Sequence, residues 1–124
     1  MAVINLTSAQ FDEMTEQHDM IIFDFWAEWC GPCKQFGPIF EEVSEKHPDI
    51  LFAKVNVEEE QELAGMFQVR SIPTIALMRE KIVVYANPGA IPASNLEEAI
   101  QQLRDLDMEK VHQDVAKAQQ EGQA

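Results

Sequence analysis

Two cysteines, Cys30 and Cys33, stand on either side of a Gly31-Pro32 pair, and the chain has no others. Thiols at this spacing can be half of a zinc site, a redox couple, or an accident of composition. A structural zinc ion takes four ligands. The remaining soft donors are His18, His47 and His112. None forms a second pair at finger spacing, since Pro48, Asp49, Ile50, Leu51 and Phe52 follow His47. No metal is expected. A redox couple needs one sulfur that ionises easily and a second, held back, that can close a ring with it.

The elements on either side would supply that difference. Residues 20–27 (MIIFDFWA) are almost continuously apolar, the mark of a strand covered on both faces. Beyond the cysteines, Phe36, Phe40, Val43 and His47 recur at helical spacing, and Pro48 is expected to end that helix. Cys30 then lies at a helix N-terminus, where unpaired N–H groups and the helix dipole favour an anion. A free thiol has a pKa near ~8.5, so half-ionisation at neutral pH requires about 2 kcal/mol. A helix end contributes ~0.3–1 kcal/mol, up to ~2 when partly buried. Direct N–H···S bonds would supply the rest. Cys33, one turn further in, is expected to be less exposed and more protonated. Gly31 permits close approach of a partner backbone, and Pro32 suits a first helical turn. Pro38, inside the helix, predicts a kink, and Lys34 reads as a solvated charge. Asp24 interrupts the apolar strand, so burial should raise its pKa.

Thr7 with Gln10 reads as a capping box opening a first helix, which carries Phe11 and Met14. Residues 51–57 alternate as a second strand, and Leu63, Met66 and Phe67 mark a short helix. Residues 74–78 and 82–86 read as a hairpin joined by Arg79-Glu80-Lys81. Ser94 and Glu97 suggest a capping box for a last helix with Leu96, Ile100 and Leu103 on one face. After the first helix the order is βαβαββα, an α/β sandwich with a mixed sheet between helices. At 124 residues, 46% hydrophobic and 25% charged, the chain fits one ordinary globular domain. Nine Lys and Arg against 22 Asp and Glu give −13, which argues against nucleic acid and anionic membranes as partners. The start lacks a secretory pattern and the apolar runs fall short of the ~20 residues of a span. A cytoplasmic monomer is expected, with its disulfide transient and catalytic.

Trp29-Cys30-Gly31-Pro32-Cys33-Lys34 resembles the signature of the thioredoxin family. Two further segments are similar: residues 23–28 (FDFWAE), before the motif, and residues 69–74 (VRSIPT), which resemble the family's cis-proline loop. The resemblance implies a thioredoxin-like fold, a central mixed sheet flanked by helices on both faces, over residues 1–106. It implies that Cys30 and Cys33 form a reversible disulfide couple acting on disulfides of substrate proteins, an electron-carrying role in cell redox homeostasis. Electrons would come from NADPH through a flavin-dependent thioredoxin reductase, with no cofactor bound by this chain. By the same resemblance Asp24 takes the proton of Cys33, and Lys54 lies near that carboxylate. Pro73 is cis and faces the cysteines, and Ile72 pairs its backbone with an extended substrate. Trp29, Gly31, Pro32, Ile72, Pro73, Gly89 and Ala90 would form an apolar docking patch. Trp26, on the strand, is the expected core tryptophan.

Ser71, Arg79-Glu80-Lys81 and Pro88 depart from the commonest family pattern, leaving the substrate approach and the hairpin turn type open. Residues 107–124 extend beyond it. Met108, Val111, Val115 and Ala118 recur at helical spacing, expected to fold back on the domain, with residues 119–124 disordered. Two other functions stay open: a thioredoxin-like co-chaperone whose patch holds clients with redox activity secondary, and an oxidase or isomerase on the same fold.

Overall fold

A computed structural model describes residues 3–122, with side chains through Gln120. The apolar run becomes β2 (Met20–Trp26), the middle strand of a five-stranded sheet ordered β1-β3-β2-β4-β5 among the described residues. β1 (Val3–Asn5) and β3 (Leu51–Asn56) run parallel to β2's direction; β4 (Thr74–Arg79) and β5 (Ile82–Pro88) form the antiparallel side. Alternation divides β2 between two cores. Ile22 faces a layer with Phe36, Phe40, Phe52 and Ile100, while Ile21, Phe23 and Phe25 face Leu63, Val55 and Met78. The first layer is covered by α2 (Gly31–Ser44) and α4 (Ala93–Asp105), the second by α1 (Ser8–Gln17) and α3 (Gln61–Met66). Each fully buried Phe contributes roughly 1.5–3 kcal/mol, so Phe36 and Phe40 pin α2, and its N-terminal thiols, to the sheet.

Several local expectations change. β1 shows no signal in the sequence; its three residues gain their order from pairing with β3. α2 ends at Ser44, before His47 and Pro48. His47 instead bridges to α4, its Nε2 at Glu97 Oε1 and its Nδ1 accepting from Arg104 Nη2 at 2.9 Å. The Ser94–Glu97 box does not form: Pro92 is the N-cap of α4, and the Ser94 hydroxyl lies 3.4 Å from Asn95 Oδ1. At α1 the Thr7 N–H donates to Gln10 Oε1 at 3.2 Å. The hairpin turn has φ of 51° at Glu80 and 68° at Lys81, the type I′ pattern, without the usual Asn-Gly.

After an extended Leu106, α5 (Met108–Gly122) begins, with Asp107 Oδ1 accepting from the Lys110 N–H. Met108 is buried, Val111 and Val115 are half-buried and Ala118 is exposed. His112 Nε2 lies 2.7 Å from Glu80 Oε1, tying α5 to the hairpin turn. The helix continues past residue 119, where the sequence suggests that order ends; residues 123 and 124 lie outside the described part. Among the described residues no helix is long and apolar enough to cross a membrane.

Candidate active site

Cys30 is the N-cap of α2 and Cys33 lies in its first turn, with Pro32 between them at the second helical position. The two sulfurs are joined as a disulfide, with Cα atoms 5.2 Å apart. The Cys33 N–H donates to Cys30 Sγ at 3.2 Å, so the sulfur takes the place that a serine or aspartate oxygen holds at an ordinary N-cap. That bond and the helix end favour a thiolate on Cys30 once the disulfide opens. The expected difference in exposure is absent: both cysteines are 4% exposed. In the disulfide the sulfurs shield one another, so the asymmetry lies in hydrogen bonding rather than in access.

Asp24 is fully buried, and neither of its oxygens has a hydrogen-bond partner. It lies on the β2 face that α2 covers, two residues from Ile22. Its register partners are Lys54 on β3 and Ile75 on β4. Burial pushes its carboxyl from an ordinary 3.8 up to about 7, against the opposing pull of Lys54. A Cβ on Gly37 would stand 3.7 Å from Lys54 Nζ. Cys33 is four residues before Gly37 and so shares that face of α2. Cys33, Lys54 and Asp24 thus occupy one layer between α2 and the sheet.

Next to Cys30 in the chain, Trp29 is 67% exposed, whereas Trp26 is half-buried with Lys54 Nζ 4.6 Å from its ring centroid. Gly31 and Pro32 are exposed. The Ile72–Pro73 bond is cis; Pro73 is buried and Ile72 half-buried. The Gly89 N–H donates to the Pro73 carbonyl at 2.7 Å, and Gly89 takes a φ of 98°, which favours glycine. That bond fixes the loop carrying exposed Ala90 beside Pro73.

A cleft of about 340 Å³ joins Trp29 to Ile72. It is completed by Val57, Val69, Arg70 and Ser71, while Gly31, Pro32, Pro73, Gly89 and Ala90 lie outside its lining. Sequence reasoning assigned no role to Val57, Val69 or Arg70; the latter two entered it only as members of the 69–74 proline-loop segment. A larger cleft, about 390 Å³, lies between α3 and the β4–β5 hairpin, among Phe11, Met66, Phe67 and Val83, and holds neither cysteine. No group of three or more metal-binding side chains gathers among the described residues.

The family model described as Thioredoxin matches residues 2–102. A Streptomyces coelicolor protein named as a thioredoxin 2 is 46% identical over 118 residues, spanning 95% of this chain and 88% of that one. The Bacillus subtilis thioredoxin is 38% identical over 101 residues, 81% of this chain and 96% of its own. Among solved structures, Plasmodium falciparum thioredoxin superposes with a TM-score of 0.74 at 33% identity, covering 82% of this chain and 98% of that one. A mutant thioredoxin from Halobacterium salinarum gives 0.75 at 31%, covering 84% and 90%. With its cysteine pair joined at the head of α2, the chain belongs to the thioredoxin family of protein dithiol–disulfide oxidoreductases.

Proposed function

We propose that the chain works in the reducing direction, as a carrier passing two electrons to disulfides in other proteins. The direction rests on the resemblance carried by the Gly31-Pro32 pair between the cysteines, and the observation that supports Cys30 as the attacking sulfur is the Cys33 N–H directed at its Sγ at the start of α2. In the reduced form the Cys30 thiolate attacks one sulfur of a substrate disulfide. That S–S bond breaks, a mixed disulfide forms, and the other substrate sulfur leaves as a thiolate that takes a proton from water. Cys33 gives its proton to the Asp24 carboxylate and attacks the Cys30 sulfur. The second substrate thiolate leaves, and Cys30 and Cys33 end oxidised as their own disulfide. A carboxyl that titrates at about 7 is matched to accept a proton near neutral pH. Lys54 attracts the charge that Asp24 gains on returning the proton to water.

Substrate docks across Trp29, Gly31, Pro32, Ile72, Pro73, Gly89 and Ala90, with the exposed indole and the cleft beside Ile72 as its apolar floor. Electrons return from NADPH through a thioredoxin reductase, and the protein acts in the cytoplasm as a monomer. Residues 1–106 carry this chemistry; residues 107–124 form an extension that the chemistry does not require.

Insulin reduction in the presence of dithiothreitol tests the scheme. Cys30→Ser abolishes it. Cys33→Ser, reduced and then freed of dithiothreitol before substrate is added, leaves a mixed disulfide with substrate that non-reducing gel electrophoresis detects. A chain ending at residue 106 keeps its activity. Turnover by Cys30→Ser would refute the assignment. Retention of unfolded clients by a variant with both cysteines changed to serine would favour the co-chaperone reading.

A further inference from the structure

Lys54 reaches from β3 into the space between Asp24 and a surface cleft of about 270 Å³. The cleft is lined in part by Trp26, Lys54, Glu28, Glu59 and Glu60, the last of which also accepts the Ser8 N–H at 2.9 Å. Two opposed pulls act on the ammonium. Asp24 draws it inward; water and three carboxylates draw it outward. It yields to neither. Nζ stands 4.6 Å from the Trp26 ring centroid, while both Asp24 oxygens stay free of hydrogen bonds. Trp26 and Asp24 alternate onto one face of β2, and Lys54 is the register partner of Asp24, so the three side chains share a row. Gly37 of α2 lies over the row, where an added Cβ would stand 3.7 Å from the ammonium, an ordinary contact distance. From the other elements packed there, Asp24 meets Ile75 of β4 and the α2 face that carries Cys33.

We propose that Trp26 is a positioning residue for the thiol chemistry: its indole face holds the Lys54 ammonium at a fixed distance from Asp24, near enough to attract the carboxylate and too far to occupy its oxygens. This rests on the reading of Asp24 as acceptor of the Cys33 proton. An ammonium bonded directly to Asp24 would tie up the oxygens that must receive that proton. An ammonium released to the cleft would leave a larger share of the carboxyl protonated near neutral pH and so less able to accept one. The indole is the strongest aromatic partner for a cation, and a half-buried setting strengthens the contact.

The test is the titration of the Asp24 side-chain carboxyl, followed by ¹³C NMR in the oxidised protein, where no thiol titrates. Trp26→Leu frees the ammonium toward water and Glu28, Glu59 and Glu60, and the Asp24 midpoint rises by at least about half a pH unit. Lys54→Met raises it as well. The double variant matches Lys54→Met alone, because Trp26 acts only through the lysine. Trp26→Phe, with a weaker ring face, gives a smaller rise. An unmoved or lowered midpoint in Trp26→Leu overturns the proposal, and so does a double variant whose shift is the sum of the single ones. Should Trp26→Leu not fold, an unmoved midpoint in Trp26→Phe overturns it equally. The midpoint exists whether or not Asp24 takes a proton during turnover. Failure of the Asp24 role, seen as an unchanged pH–rate profile in Asp24→Asn, is therefore separable from failure of the Trp26 role.

Discussion

Asp24 and Lys54 sit opposite one another on β2 and β3, yet the aspartate is fully buried with no hydrogen bond to either oxygen. A native fold rarely leaves a carboxylate so placed, because removing it from water costs several kcal/mol. The outcome here is a carboxyl that keeps its proton up to about pH 7.

That retention fixes the sign of a stability effect. Between the ordinary value of 3.8 and about 7 the folded chain holds a proton that the unfolded chain has lost. Stability therefore falls as pH rises through this window and is level above it. The whole window corresponds to about 4 kcal/mol as an upper bound. Oxidised Asp24→Asn should match the parent below pH 4 and be more stable by up to this amount at pH 8. Urea unfolding at pH 4, 6 and 8 measures the difference; equal stability at pH 8 would contradict the burial argument.

The cysteines differ in hydrogen bonding and not in exposure, so their reactivities should diverge with ionisation. In the reduced protein at pH 6, iodoacetamide should modify Cys30 at least about tenfold faster than Cys33. Mass spectrometry of peptides from partly alkylated protein reads the ratio. Equal labelling, no faster than that of a small free thiol, would mean that the helix start leaves Cys30 unactivated.

What could be read in advance follows from how local each cause is. The α2 start was legible because Cys30, Pro32, Phe36 and Phe40 declare an N-cap, a first turn and a buried face within eleven residues. Asp24 was legible because a carboxylate within an apolar run has few surroundings open to it. β1 was not, since Val3–Asn5 is too short to show alternation and owes its order to β3. The Ser94–Glu97 pattern misled because Pro92, with its fixed φ, starts α4 first. Val57 and Arg70 joined the cleft beside Trp29 only through folding, as they come from separate segments. The equal shielding of the two sulfurs depends on the disulfide itself, which spacing alone does not describe.

Arg79, singled out in the sequence only as part of the hairpin turn, holds the end of α4. Its Nη1 donates to the carbonyls of Leu103, Arg104 and Leu106 at 3.0, 3.3 and 3.4 Å, where a helix C-terminus leaves acceptors unpaired. Arg79→Met should destabilise the protein by about 1–3 kcal/mol, since partly buried acceptors lose a charged donor. Insulin reduction per folded molecule should not change. Urea denaturation alongside the activity assay separates the two, and a stable Arg79→Met variant would show that water satisfies those carbonyls equally well.

The β4–β5 turn puts two L-residues, Glu80 and Lys81, at positive φ. Each such residue costs about 1–2 kcal/mol relative to a relaxed backbone. Lys81 also pairs with Glu16, but both side chains are more than half exposed, so the pair contributes well under ~1 kcal/mol. Lys81→Gly removes the conformational penalty and adds some unfolded-chain entropy, for an expected net gain of about 0.5–1 kcal/mol. Lys81→Ala loses the same ion pair without relieving φ and should not stabilise. Glu80→Gly relieves φ too, but gives up the contact with His112 that ties α5 to the turn, so its gain should be smaller. Thermal unfolding of the three variants orders them as Lys81→Gly, then Glu80→Gly, then Lys81→Ala. If Lys81→Ala stabilised as much as Lys81→Gly, backbone strain would not be the cause.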